Sequence, residues 1–217
     1  MATPFELVIF DCDGVLVDSE PIANRILAEQ LQAVGLHLDA GEVMRRFVGR
    51  TRDGCLAFGA ELLNRPLPAG FGERWDTALF DALRREVRAI EGVLEVISGL
   101  RIPYCVASNG NRDRLRLTLE AAGLLALFEG RIFCAADVAH PKPAPDLFLH
   151  AAAVMGAPPE RCVVIEDTPT GARAATAAGM KVLGYAAAPH ADREALAREG
   201  ATLFERMEHV PSLLRSS

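Results

Sequence analysis

The sequence predicts an α/β fold: a parallel sheet flanked by helices, with one inserted all-α domain. Short apolar runs rich in branched residues recur at Leu7 to Phe10, Tyr104 to Ala107, Arg131 to Cys134, Cys162 to Ile165 and Val182 to Gly184. Each of the later four follows a helical stretch, and strand alternating with helix requires crossovers that make a sheet parallel. Residues 19–88 break the alternation, with helical patterns and no convincing strand over about 70 residues, where a crossover usually needs only a dozen or more.

The elements follow in order. Leu7 to Phe10 is apolar at every position, as a strand buried on both faces requires. Residues 19–88, divided by Gly35, Gly49 and the NRPLPAG stretch at 64–70, read as an inserted helical cap domain able to act as a lid. Residues 1–18 and 89–217 are then the catalytic core, and Trp75 belongs to the apolar interior of the cap. Three later helices end at glycine: Arg112 to Ala122 at Gly123, Pro145 to Met155 at Gly156, and Pro169 to Ala178 at Gly179.

Composition narrows the function classes. The chain has 217 residues, half of them apolar, which is enough for a full core and a smaller insert. A formal charge of −6 with a pI near 5.4 provides no footprint for nucleic acid. Arg45, Arg46, Arg50 and Arg52 form a local basic group suited to a small anion, or else a solvated helix face. No apolar span approaches membrane length and the N-terminus lacks a secretion pattern, so a cytoplasmic protein without membrane partners is expected, a monomer or weak homodimer. Cys12, Cys55, Cys105, Cys134 and Cys162 form no CxxC pair, which favours a reducing compartment and no zinc.

Ligands of open parallel sheets bind beyond the carboxyl ends of the strands. Those positions are polar here: Asp11 and Asp13 after the first run, Ser108 and Asn109 after the second, Glu166 and Asp167 after the fourth, with Lys142 in the loop after the third. Taken singly, Ser108 fits a helix cap, Lys142 a solvated loop and the acids a turn. Gathered on one rim, four carboxylates need a cation, and an oxygen-only donor set points to magnesium rather than zinc. With the acids neutralised, Ser108 and Lys142 make the rim a receptor for a phosphoryl group, aided by helices that begin just after Ser108 and Thr168.

DCDGVLVD, the strand ending in Ser108, Lys142 within HPKPAP, and IEDTPTGARAATAAGM resemble, in order and spacing, the four motifs of the haloacid dehalogenase superfamily. The insert resembles the helical cap of its branch of β-phosphoglucomutases, phosphoglycolate phosphatases and 6-phosphogluconate phosphatases. The resemblance implies a Rossmann-like core and a magnesium-dependent phosphatase acting on a small phosphate monoester. In that scheme Asp11 is the nucleophile and Asp13 the acid and base. Ser108 and Lys142 hold the phosphoryl group, and the metal site draws on Asp11, Asp13, Glu166 and Asp167. Glu166 acts either through water or by orienting the lysine. Pro141 and Pro143 are expected to keep the lysine loop extended. Arg50 and Thr51 in FVGRT occupy the cap position that grips substrate in the related mutase, and Asn109 joins the substrate-binding set.

Departures from the family separate its members. Asp13 argues against dehalogenation, since a halide leaves without a proton. Ala23, where the mutase type carries histidine, favours hydrolysis, and residues 19–88 contain no lysine for Schiff-base chemistry. Phosphoglycolate hydrolysis and hexose-phosphate mutation are the alternatives within the family. From another class, a phospho-signalling receiver gathers similar residues but carries no insert after its first strand. A calcium-loop reading fails because its twelfth position is Ile22.

Overall fold

The computed structural model describes residues 4–47, 50–188 and 191–215. The chain divides into two compact units, Met1–Asp18 with Arg88–Ser217, and Ser19–Val87.

The first unit is a six-stranded, wholly parallel sheet in the order β3-β2-β1-β4-β5-β6. The strands are β1 (Leu7–Phe10), β2 (Tyr104–Ser108), β3 (Ile132–Cys134), β4 (Cys162–Glu166), β5 (Lys181–Tyr185) and β6 (Thr202–Phe204). β1 is buried at every residue because strands flank it on both edges and apolar layers cover both faces. One layer joins Leu7, Ile9, Cys105 and Val164 to Leu147, Phe148 and Ala151 of a helix and to Ala172, Ala174 and Ala175 of another. All five cysteines are buried free thiols, acting as small core hydrophobes.

β6 has no counterpart among the predicted strands, since a three-residue TLF carries too little periodicity to register. Ser108 closes β2 as expected, and β4 runs one residue beyond the predicted run, so Glu166 closes it. The helices of this unit begin before β2, where the first helix of the other unit is α1: α5 (Val93–Gly99), α6 (Arg112–Ala121), α7 (Leu125–Phe128), α8 (Asp146–Met155), α9 (Pro169–Ala177), α10 (Arg193–Arg198) and α11 (Val210–Leu213). α6, α8 and α9 stop where Gly123, Gly156 and Gly179 adopt positive φ.

The second unit is α1 (Glu20–Ala33), α2 (Ala40–Phe47), α3 (Arg52–Leu63) and α4 (Phe71–Glu86), with no strand among its described residues. α1 packs on α4 and α2, burying Ile22, Ile26, Leu27 and Leu31 with Trp75, Leu79, Leu83 and Val43. Trp75 is interior, at 7 % exposure. Gly49, read as a helix divider, lies outside the described residues. No described helix is long and apolar enough to cross a membrane.

Candidate active site

The polar residues meet where β2, β1 and β4 end side by side. Asp11 is the first residue beyond β1, and its backbone N–H donates to the Ile165 carbonyl at 2.9 Å, prolonging the ladder to β4. The chain then folds back, with Leu16 and Val17 donating to the Cys12 carbonyl at 2.9 and 3.1 Å and Gly14 to Val17 at 2.9 Å. Gly14 sits at φ +81°, a conformation that L side chains rarely adopt.

Lys142 is the hub. Its side chain is 3 % exposed, and its ammonium donates to Asp11 Oδ1 at 2.6 Å and Glu166 Oε1 at 2.8 Å. The Nζ also lies 4.6 Å from the ring centre of Phe148. Burial pushes the Asp11 carboxyl up to about 7, opposed by the charge of Lys142 and reinforced by Glu166 and Asp13. Burial works against the charged lysine too, but Asp11 and Glu166 overcome it and hold Lys142 above its ordinary value. Two buried carboxylates share one ammonium, so the pocket carries an excess of negative charge.

The lysine's backbone is fixed as firmly as its head. Asn109 Nδ2 donates to the Lys142 carbonyl at 2.9 Å, and the Lys142 N–H donates to Asn109 Oδ1 at 3.0 Å. The loop is not extended as its prolines suggest. A cis Lys142–Pro143 bond and an Ala144 to Pro141 hydrogen bond of 3.0 Å close it into a turn with Pro143 at its third position.

Glu166 spends its other oxygen, Oε2, on the backbone N–H and hydroxyl of Thr168, both at 2.8 Å. Glu166 thus has both carboxylate oxygens engaged, one by the lysine and one by Thr168. Gly171 makes room for it: a Cβ there would fall 1.7 Å from Glu166 Oε1. Gly171→Ala, which ordinarily favours a helix by about 1 kcal/mol, is therefore expected to destabilise by roughly 1–3 kcal/mol. The thermal midpoint should drop by several degrees in a circular-dichroism melt, and an unchanged or higher midpoint would refute this packing.

Asp167 brings the fourth loop against the first, since a Cβ on Gly14 would lie 2.0 Å from Asp167 Oδ2. Among the described residues no three His, Cys, Asp or Glu side chains converge closely enough to cage a metal alone. The donors fit a hard cation that keeps much of its water: the Asp11 and Asp167 carboxylates with the backbone carbonyl of Asp13. The excess negative charge points the same way.

Ser108 is buried, and its Oγ accepts from the Gly110 N–H at 3.2 Å, leaving the hydroxyl hydrogen to donate. Asn111, rather than Ser108, caps α6, through a 2.8 Å bond from the Arg114 N–H. Asn109, expected to bind substrate, has its amide bonded to the backbone of the lysine loop. Arg50 and Thr51 belong to the helical unit. Thr51 caps α3 by accepting from Gly54 N–H at 3.1 Å, while Arg50 lies 3.8 Å over the Phe58 ring and donates to Arg46 O at 3.3 Å. Of the other arginines read as a basic group, Arg52 pairs with Asp76 at 2.7 Å and Arg46 with Glu42 at 3.6 Å.

One contact had no signal in the sequence. Arg114 Nη2, from the first turn of α6, donates to Asp13 Oδ1 at 3.2 Å across 101 residues. Only the start of a helix just after Ser108 hinted that this turn would face the rim.

Comparison with known proteins agrees with this geometry. A family model for haloacid dehalogenase-like hydrolases matches residues 5–179. The 6-phosphogluconate phosphatase of Escherichia coli (strain K12) is 33% identical over 217 residues, covering 97% of this chain and 95% of that one. A haloacid dehalogenase-like protein of unknown function from Agrobacterium tumefaciens superposes with a TM-score of 0.86 at 38% identity, covering 97% of each chain. A HAD family hydrolase from Deinococcus radiodurans, solved with bound phosphate and sodium, gives 0.84 at 39% identity, covering 98% of this chain and 96% of that one.

Proposed function

The chain belongs to the haloacid dehalogenase-like hydrolases and is a phosphoric monoester hydrolase, and from that premise we propose a magnesium-dependent phosphatase acting on small sugar or sugar-acid phosphates through an aspartyl-phosphate. The observation that carries this reading is the buried Asp11, held at 2.6 Å by Lys142 at the mouth of the central strand. A carboxylate fixed there has one oxygen steadied by the ammonium and the other to offer to phosphorus.

In the first step an Asp11 oxygen bonds to phosphorus while the ester P–O bond breaks, and Asp13 gives its proton to the departing alkoxide. In the second, water attacks phosphorus and Asp13 takes the water proton. The bond to Asp11 then breaks, releasing inorganic phosphate and restoring both carboxyl groups. Ser108 donates its hydroxyl to a phosphoryl oxygen, and the Lys142 ammonium lies where negative charge develops. Glu166, Gly171 and Asn109 hold that lysine. Asp11, Asp167 and the Asp13 carbonyl are the groups that would hold magnesium, which would supply neutralisation of the phosphoryl charge. The Deinococcus relative was solved with bound phosphate and sodium, which is consistent with a protein that takes an anion together with a cation.

A colorimetric phosphate-release screen over sugar, polyol and short-acid phosphates tests the reading, with magnesium and with EDTA. Release that depends on magnesium and is greatest on a sugar or sugar-acid ester is expected. No release from any ester, or release indifferent to EDTA, would overturn it. The helical unit is proposed as the specificity-setting cap, with Arg50 and Thr51 as substrate contacts. Arg50→Ala should then raise KM or reorder the substrate panel, with kcat on the best substrate changed less than about threefold. An unaltered panel would remove Arg50 from the substrate set.

A further inference from the structure

We infer that the first turn of α6 is the device that aims Asp13, with Arg114 as its positioning residue. The inference rests on the acid and base role proposed for Asp13. It starts from two contacts between α6 and the loop after β1. Arg114 Nη2 reaches Asp13 Oδ1 at 3.2 Å, in a pair whose side chains are only 26% and 27% exposed. One turn further along, Thr118 Oγ1 lies 3.9 Å from Cys12 Sγ, with both residues buried. Residues four apart share a helix face, so α6 presents both groups to successive residues of the same loop.

The turn that carries Arg114 is itself fixed. Asn111 caps α6 by accepting from the Arg114 backbone N–H, and the Thr118 hydroxyl donates back to the Arg114 carbonyl at 3.0 Å. Two residues before the cap, Asn109 is bonded to the lysine turn. A single connection, residues 108–118, therefore touches the loops that carry Asp13 and Lys142.

The chemistry of the contact decides what it does. Arginine does not give up its proton, so Arg114 has no part in the proton transfer itself. Its hydrogen bond to Asp13 is made at Oδ1, which sets the carboxyl's rotamer and with it the direction in which Asp13 delivers its proton. The leaving oxygen of an alkyl phosphate needs that proton as it departs, whereas a nitrophenolate leaves without one. A misaimed Asp13 should therefore slow the first reaction and spare the second, and misplacement by about 1 Å can cost a hundredfold.

The test compares kcat/KM, which reports the steps through departure of the alcohol, for 6-phosphogluconate and for p-nitrophenyl phosphate. If the screen ranks another alkyl ester first, that ester replaces 6-phosphogluconate. Arg114→Met keeps the apolar stem and removes the donors. It should lower kcat/KM on the alkyl ester about 10- to 100-fold and on the aryl ester less than about threefold. Arg114→Lys should recover most of the loss, and Arg114→Gln is a second neutral variant held to the same outcome should the first not fold. Equal losses on both esters, or none on either, would overturn the positioning role. Asp13→Asn separates this from the underlying reading: it should cost the alkyl ester about a hundredfold or more. Full activity in that variant would refute the acid and base role itself, whereas its loss beside an undiminished Arg114→Met would refute only the aiming.

Discussion

Asp11→Asn is expected to lower turnover on every phosphate ester by about three orders of magnitude or more, because a neutral amide cannot supply the carboxylate nucleophile that the proposed aspartyl-phosphate step needs. The fold should survive. Burial pushes the Asp11 carboxyl from 3.8 up to about 7, so between those values the folded chain retains a proton that the unfolded chain has lost. Stability contributed at this position therefore falls as pH rises from about 4 to about 7 and stays lost above. An asparagine has no such slope. In EDTA-treated protein at pH 8 the variant's thermal midpoint should lie within a few degrees of the parent's or above it. Near-normal turnover in the variant would exclude covalent catalysis by Asp11. A collapsed midpoint would show instead that Lys142 needs this partner to fold.

Lys142→Met is expected to fail in both respects. Removing the cation leaves Asp11 and Glu166 buried with no ammonium between them, and breaking a buried pair from one side costs about 3–5 kcal/mol. For a chain of this size that is a fall of roughly 6–20 °C in the thermal midpoint. Activity should drop at least about a hundredfold, because the transferring group loses its fixed positive charge. Adding Glu166→Gln to this variant removes one of the stranded charges. The double variant should recover part of the midpoint and none of the activity, which calorimetry and phosphate release would read separately. Simple additivity of the two destabilisations would mean that the ions do not act as one group.

The fold and the polar rim are largely legible in the sequence because both depend on local features. Apolar runs mark strands, and in a parallel sheet the polar residues just past them share one edge, so the sequence alone puts Asp11, Lys142 and Glu166 on one rim, where they meet. Pairings between distant residues were not legible. Nothing near Arg114 in sequence distinguishes an arginine that meets Asp13 from one facing solvent, as Arg116 largely does. The bond of Asn109 to the backbone of residue 142 is invisible in the sequence because a backbone partner carries no side-chain signature. Nothing local in the sequence marks Gly171, and only the position of Glu166 shows what a methyl group there would displace.

The position of β1 in the middle of the sheet bears on how the protein is made. Its neighbours begin at Tyr104 and Cys162, so of the six strands of this sheet the one made earliest waits longest for both of its partners. At typical synthesis rates of about 5–20 residues per second, the LVIF segment spends several seconds or more as an unpaired apolar edge, the kind of surface that chaperones recognise and aggregates recruit. Residues 19–87 make their helical contacts among themselves and are complete well before Cys162 emerges, whereas the centre that unites Asp11, Lys142 and Glu166 closes only after β4 has been synthesised. A nascent chain halted at about residue 150 should therefore hold a folded insert beside a protease-sensitive remainder.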